Sequence, residues 1–515
     1  MERPTLTPYP MHLLARLLAL VLFGTVLFLS SCDTETEFLT GDEVELRFST
    51  DTLTFDTVFT DRGSATRIMQ VYNDADDPVK IDRISVEGNE GVTYRFNVDG
   101  FSGPVAEEVI IWGGDSIFVF VEVFVDPTAP TAVSPFIAED RLVFLTGNSR
   151  SDVELIAFGQ NAFYINEFRR GRLGVLNCDA GEITLPNDLP VVIYGSLAVD
   201  DCKLIVQAGT EIYVHGGVQR DTDEIFTRNG GFFNDGLILV TETASIEMRG
   251  TADNPISVST DRLEPEFRTD PAKYQGLIIR PGSRGNIIRH TSLLNSITGV
   301  LLDSLSEVLI ENTTIAYTGG PAISAYQSDV TVRNTLIHSN FNNAVQFVKG
   351  GSLTMDHVTI ANYGVDASAL VLTNFTCDEE TDLCIAAPMV TRIRNSIIAG
   401  SRESEMRLLD IFEGGELGAF DIEVANTVLR TGDDFLRSQD GLFANFYDVL
   451  CENCVNTVFD DALFLNIGQD DYRLDSLSVA RNLGAFLPAL PVDLEGVERE
   501  PGGTDAGALQ FVPEG

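Results

Sequence analysis

Four segments of this chain, NIIRHTSLL, VLIENTTI, VTVRNTLI and LTMDHVTI, align on His290, Asn312, Asn334 and His357, at spacings of 22, 22 and 23 residues. Self-similarity at a fixed period of this length restricts the chain to a repeat architecture, because one unit cannot bury its apolar face alone and must stack on its neighbours. Two further copies, TRIRNSII at Asn395 and IEVANTVL at Asn426, follow 38 and 31 residues on, as expected if loops are inserted into single coils. Each copy alternates apolar and polar residues, turns at the Asn or His, and then resumes. At about 3.3 Å per residue, a unit of 22 residues traces roughly 70 Å, enough to go once around a three-sided coil of short strands. An Asn at the same turn of successive coils offers one acceptor and two donors, so the side chains can form a ladder and bond backbone groups that the turn leaves unpaired. Removing one buried rung should cost about 1–3 kcal/mol.

Upstream, GSLAV, KLIVQAGTEIYVHGG, GLILVTETASIEMRGTADNPISVS and YQGLIIRPGS read as the first coils, with Gly-Thr at turns. This array resembles the right-handed parallel β-helix of the pectin-lyase-like superfamily. The stretch from Gly250-Thr251 through Asn254-Pro255-Ile256 to Gln275-Gly276 is similar to a group of Bacteroidetes β-helix lipoproteins. Asp471-Tyr472-Arg473-Leu474, Asp493-Leu494-Glu495-Gly496 and Asp505-Ala506-Gly507-Ala508 resemble the terminal coil of many extracellular β-helices. The resemblance implies an all-β chain, with residues 164–515 forming the β-helix and a terminal coil or cap from about residue 466. Residues 46–163 have a different rhythm, about seven short alternating runs separated by Gly, Asp, Asn and Pro turns. The order of those signals resembles the ASH/MSP-like immunoglobulin domains of bacterial surface proteins, which implies an N-terminal Ig-like β-sandwich acting as a spacer or docking surface. Trp112, the only tryptophan, falls in this part and is expected to pack at a strand end.

The amino terminus carries an address. Leu17–Leu29 is a thirteen-residue apolar run behind Arg16, too short to span a bilayer, which needs about 20 residues. Leu29-Ser30-Ser31-Cys32 resembles the bacterial lipobox, which implies a signal peptide over residues 1–31, acylation of Cys32 and a lipid anchor. Met11 by itself opens a compact signal, and an ordinary cleaved signal with a chance cysteine is the alternative. Asp33-Thr34-Glu35-Thr36-Glu37 opens an acidic tether over 32–45 that resembles the surface-export signals of Bacteroidetes lipoproteins, whereas enterobacterial sorting would read Asp33 as inner-membrane retention. Outer membrane or cell surface is the expected location. Seven cysteines less Cys32 leave six, and an even remainder in an oxidising compartment reads as disulfides. They fall into neighbouring couples, Cys178 with Cys202, Cys377 with Cys384 and Cys451 with Cys454, although six cysteines allow 15 pairings. Cys451-Glu-Asn-Cys454 also reads as half a zinc site or a redox pair, yet neither a second CxxC nor a nearby histidine completes four ligands.

Asp+Glu exceed Lys+Arg by 77 to 34, a formal charge of −43, which repels phosphate backbones and excludes a nucleic-acid partner. A catalytic β-helix needs either carboxylates holding Ca²⁺ beside an Arg or Lys base, or clustered carboxylates that act as acid and base. Gly468-Gln469-Asp470-Asp471 superficially matches the acidic motif of polygalacturonases, but Asn-Thr-Asp before it and Gly-His-Gly and Arg-Ile-Lys after it are missing, so the pair reads as the turn entering Asp471–Leu474. His290 and His357 sit at ladder positions, His338 in a following turn, and His215 before Gly-Gly; no HxxxH or HExxH spacing occurs. Arg280, Arg289, Arg333 and Arg394 occupy outward positions, where a solvated face competes with contacts to an acidic sugar. The longest insertion, residues 372–388, combines Phe375, the Cys377/Cys384 couple and Asp378, Glu379, Glu380 and Asp382. Such a loop could bind Ca²⁺ or a partner but fits no calcium-loop pattern; Asp221-Thr222-Asp223-Glu224 is a weaker case. No catalytic residue, metal site or cofactor is assigned. The expectation is a lipid-anchored envelope protein whose β-helix binds a polysaccharide, matrix or envelope partner without turnover, and the alternative is a polysaccharide lyase or glycoside hydrolase on the same scaffold.

Overall fold

A computed structural model describes residues 37–39, 45–59, 64, 66–88, 92–125, 136–165, 173–178, 181–220, 231–378, 381–413, 416, 418–432 and 446–513. The signal segment, Cys32, the tether as far as residue 36, and Asp221–Glu224 lie outside these residues. The chain divides near residue 159 into two compact units.

The first unit is a β-sandwich of two five-stranded sheets. One sheet contains Leu46–Phe48, Arg67–Asn73, Ser116–Val125, Val92–Val98 and Phe101–Gly103 in that order. The other contains Thr52–Phe59, Ser149–Gln160, Phe136–Thr146, Val79–Val86 and Val105–Ile111. Strand Ser116–Val125 shows how alternation builds the core: Val119, Val121, Val123 and Val125 are buried, whereas Phe118, Phe120 and Phe124 face outward at 51%, 38% and 42% exposure. Trp112 corrects the expectation of packing, being 56% exposed. It contributes its backbone carbonyl, which accepts a 3.3 Å bond from the buried Asn73 Nδ2.

The second unit begins at Phe163–Ile165, which pairs in parallel with Val191–Tyr194, and carries a 26-stranded sheet that winds on itself. Strands recur on three faces. The first face includes Thr291–Leu294 and Thr314–Thr318, the second Val300–Leu302, and the third Asn286–Arg289 and Glu307–Glu311. Each strand pairs in parallel with its equivalent one coil on, so the interior is built of aligned aliphatic stacks. Ile315, Ile337, Ile360, Ile398 and Leu429 form one such stack, and all are fully buried.

Corners set the period. A chain of L-residues turns between flat faces by placing single residues in the left-handed region, which Asn tolerates better than most. Positive φ occurs at His290, Asn312 and Asn334, at Asn295, Tyr317 and Ser339, and at Leu305, Gln327 and Lys349. Each of these three columns steps by 22 residues, so all three corners, and not only the Asn corner, obey the repeat. At the first corner the following residue completes the turn: Thr291, Thr313, Thr335, Ser396 and Thr427 donate from Oγ to the carbonyl two residues back, at 2.7–3.0 Å.

The segment after residue 463, where a terminal coil or cap is expected, is not a further coil. It adds no rung to the parallel sheet; Phe464–Asn466 and Asp471–Leu474 form their own antiparallel hairpin. This segment lies along the outer side of the first face, where Leu463, Phe464, Tyr472, Leu474, Ala480, Ala506 and Ala508 form a second core with Leu336, Ala361, Ile397, Ala399 and Val428. Gly507 shows why the Asp-Ala-Gly-Ala motif has its composition. Its φ is +99° and a Cβ would lie 2.7 Å from both Ile397 Cδ1 and Thr359 Oγ1, so only glycine lets the backbone settle there. Asp493 and Asp505 hold the motif's turns by accepting from Glu495 N and Val497 N, and from Asn482 N and Phe511 N.

Candidate functional site

Two side-chain systems run along the outside of the β-helix. The first is the ladder, in which His290, Asn312, Asn334, His357, Asn395 and Asn426 all take positive φ, as does Asn453 one coil further on. Asn453 was missed because 27 residues separate it from Asn426 and no apolar alternation precedes it. Each rung that bonds another donates toward the amino-terminal side. Asn334 Nδ2 gives to Asn312 Oδ1 at 2.6 Å, Asn312 Nδ2 to His290 Nε2 at 3.1 Å, Asn395 Nδ2 to His357 Nε2 at 2.9 Å, and Asn453 Nδ2 to Asn426 Oδ1 at 2.8 Å. Histidine therefore heads two of the runs, since a neutral imidazole nitrogen ends a donor chain by accepting only. His357 donates from Nδ1 to Gly507 O at 3.3 Å, which assigns its tautomer through the network.

Between Asn334 and His357 the run is broken, and Arg499 occupies the break. Its Nη2 donates to Asn334 Oδ1 at 2.7 Å and its Nη1 to Val492 O at 2.5 Å. Arg499 is 3% exposed, and this burial lowers its pKa to about 10. Burial likewise pushes His357 down to about 3, with the neighbouring Arg499 charge adding to the effect. The rungs beneath the terminal segment, Asn334, His357 and Asn395, are at most 1% exposed, whereas His290, Asn312 and Asn426 are half-buried. Asn334, His357 and Asn395 hold the terminal segment through Arg499, Gly507 and Ala485.

The second system is a column of charges on the third face. Arg289, Glu311, Arg333, Asp356 and Arg394 stand in register in successive coils. They pair along the column, Arg289 with Glu311 at 3.3 Å, Arg333 with Glu311 at 3.8 Å and Asp356 at 3.7 Å, and Arg394 with Asp356 at 2.7 Å. Arg280 lies elsewhere, 3.5 Å from Asp303. The sequence suggests the arginines as separate contacts, but their partners were legible at the same ladder offsets.

Histidines and carboxylates meet in two further places. His215 Nδ1 lies 2.7 Å from Asp261 Oδ2, and Tyr194 stacks on the imidazole with centroids 4.4 Å apart. Insertions after His215 and after Thr260 flank this group, tied together where Asn234 Nδ2 donates to Lys273 O at 2.9 Å. Asp470 accepts from Tyr317 and Ser339 hydroxyls at 2.8 and 2.9 Å and from Tyr472 at 3.2 Å. Hydrogen bonding from His338, then from Tyr317 and Ser339, holds its carboxyl well below the usual range. A carboxylate fixed in this way latches the terminal hairpin to the first face and is poorly suited to give up a proton. Among the described residues no group of three or more His, Cys, Asp or Glu is placed to hold a metal ion.

All three cysteine couples are closed: Cys178–Cys202, Cys377–Cys384 and Cys451–Cys454. The middle one clasps a hairpin of Phe375–Cys377 and Cys384–Ala386, where Asp378 Oδ1 accepts from Thr381 N and Oγ1 at 2.9 Å. Asp378 is thus engaged in its own turn, while Glu379 and Glu380 lie outside the described residues.

A family model described as right handed beta helix region matches residues 191–377, which with the wound parallel sheet gives the coil its hand. No curated protein matches the chain. Among solved structures, a catalytic-domain variant of GH87 alpha-1,3-glucanase in complex with nigerose has 9% identity and a TM-score of 0.22, over 78% of this chain and 89% of that one. The Agl-KA catalytic domain has 11% identity and a TM-score of 0.19, over 71% and 89%. A family 123 glycoside hydrolase from Clostridium perfringens has 9% identity and a TM-score of 0.16, and this chain covers 22% of its own length and 25% of that enzyme's. Scores of this size carry no functional argument. The chain is an all-β protein with an amino-terminal β-sandwich and a right-handed parallel β-helix.

Proposed function

We propose that this is a lipid-anchored protein of the cell envelope in which an Ig-like sandwich serves as spacer and the β-helix binds an extended glycan, or a matrix or envelope partner, without turnover. The observation that carries the reading is the paired column from Arg289 to Arg394. Charged side chains along this face neutralise one another, and offer alternating donors and acceptors in place of convergent carboxylates. A flat, periodic face suits a polymer with its own repeat. Anchoring rests on Leu29–Cys32; labelling with a palmitate analogue should mark the wild type and spare Cys32→Ala, and equal labelling of the two would remove the anchor.

A lyase or hydrolase is the competing reading, and the His215–Asp261 pair is the observation that favours it, since a carboxylate that orients an imidazole is one way to build a general base. The purified full chain should be retained on insoluble glycan or envelope material, yet release no reducing ends and develop no absorbance at about 235 nm, where the unsaturated uronates left by proton abstraction and elimination absorb. Turnover of any polymer that is lost in His215→Ala would replace binding with catalysis.

A further inference from the structure

The charge column ends in a gap. Register places Ala425 one coil beyond Arg394 and Glu452 one coil beyond Ala425. Where the preceding coils carry a charged side chain, Ala425 therefore carries a methyl group, and Arg394 and Glu452 face each other across two strand spacings, roughly 9–10 Å. A cavity of about 550 Å³ opens there, lined by Thr354, Arg392, Arg394, Glu423, Val449 and Glu452 among others, within the size range of small-ligand sites. The π-helical turn Phe446–Leu450 forms its apolar side, and the Cys451–Cys454 disulfide fixes the strand that follows.

Charge decides what the slot can take. Arg394 spends Nε on Asp356, and Arg392 is held by Asp421 at 2.6 Å and Glu423 at 3.1 Å. Glu452 has no ion-pair partner among the described residues. Three guanidinium groups, Arg333, Arg392 and Arg394, thus stand among four carboxylates, Asp356, Asp421, Glu423 and Glu452, and the one left over is Glu452, inside a chain of net charge −43. Such a field favours a cation over an anion. We propose that the slot is a saccharide subsite for an amino sugar. Its free ammonium pairs with Glu452, its hydroxyls accept from the Arg394 guanidinium, and its ring lies against Val449. The proposal rests on the glycan-binding reading and names the unit recognised.

Calorimetric titration of the full chain with a glucosamine hexamer tests it, beside the N-acetylated hexamer, in which the ammonium is replaced by an amide. The deacetylated hexamer should bind, and the acetylated one about tenfold or more weakly, the factor expected for one charge-assisted contact. Glu452→Gln and Ala425→Arg, which remove the anion and fill the gap, should each weaken the deacetylated hexamer by a similar factor. Glu307→Gln, on the same face but away from the slot, should leave it unchanged. No binding of the deacetylated hexamer, equal binding of the two hexamers, or equal losses in all three variants would overturn the subsite. If Glu452→Gln and Ala425→Arg bind the hexamer as the wild type does while retention on insoluble glycan persists, the subsite falls and the general reading stands. If the wild type is not retained on any glycan, the general reading falls.

Discussion

The coils between Asn286 and Asn362 and those between Met389 and Asn456 share one geometry and differ in how faithfully they repeat it. In the first group the ladder steps by 22, 22 and 23 residues and left-handed residues mark all three corners. In the second the steps are 38, 31 and 27, because single coils accept insertions such as the clasped hairpin at 375–386. Both groups keep the interior stack and the Asn corner, since parallel pairing fails if either shifts. What the irregular coils give up is the outer column, where Ala425 interrupts the charges and opens the slot. The period therefore specifies the fold, and departures from it on outward positions are where a site can form.

The largest test of this comparison lies at the ladder. Asn395 is fully buried and held at both ends: it donates to His357 and to Ala485 O, and accepts from Ala485 N at 2.9 Å. Asn395→Ala should cost about 3 kcal/mol in denaturant unfolding, since several buried groups lose partners together, and should speed proteolysis of the terminal segment. The same change at the half-buried Asn312 should cost about 1 kcal/mol, water replacing what is lost. Asn340 supplies the contrast within the regular coils. It is fully buried and gives 2.7 Å to Thr318 Oγ1, but its Oδ1 has no partner. Asn340→Ala should therefore cost no more than about 1 kcal/mol. Equal losses at Asn395 and Asn340 would mean that burial alone, and not the rung bonds, sets the cost.

The Asn corner was readable because a left-handed turn that repeats in space demands the same small set of residues at the same spacing. A Thr or Ser follows it in five of the six copies, Val358 being the exception, and its role emerges only once the carbonyl two residues back is seen to need a donor. Arg499 was not readable. It meets Asn334 across 165 residues, and no local pattern marks one arginine among many as the one that fills a break in a ladder. The inner face of strand Ser116–Val125 was not readable for another reason: with Val on one side and Phe on the other, both faces are apolar, and alternation does not say which is inside. The slot combines these cases, since the absent charge at Ala425 is visible only against the completed column.

Titration gives the finest comparison between the two groups of coils. Burial lowers His357, at the boundary between them, from 6.5 to about 3. Burial raises Glu405, within the irregular group, from 4.5 to about 7, although backbone N–H groups of Arg402 and Ala369 oppose the shift. For His357 the unfolded chain binds the extra proton between the two values, so its contribution is complete above pH 6.5 and is lost as pH falls toward 3. For Glu405 the folded chain binds the extra proton, so its contribution is complete below pH 4.5 and is lost as pH rises through 7. Between pH 4.5 and 6.5 the two slopes oppose each other, each approaching about 1.4 kcal/mol per pH unit. Glu405→Gln should expose the histidine, giving a protein that weakens as pH is lowered through this window. His357→Asn keeps a rung amide and should expose the glutamate, giving one that weakens as pH is raised through it. Denaturation midpoints measured across the window for both variants decide the matter. Profiles parallel to the wild type would show that neither group titrates in the folded state as its burial requires, whereas slopes of opposite sign would place one proton-linked contribution at the boundary between the two groups and the other within the irregular coils.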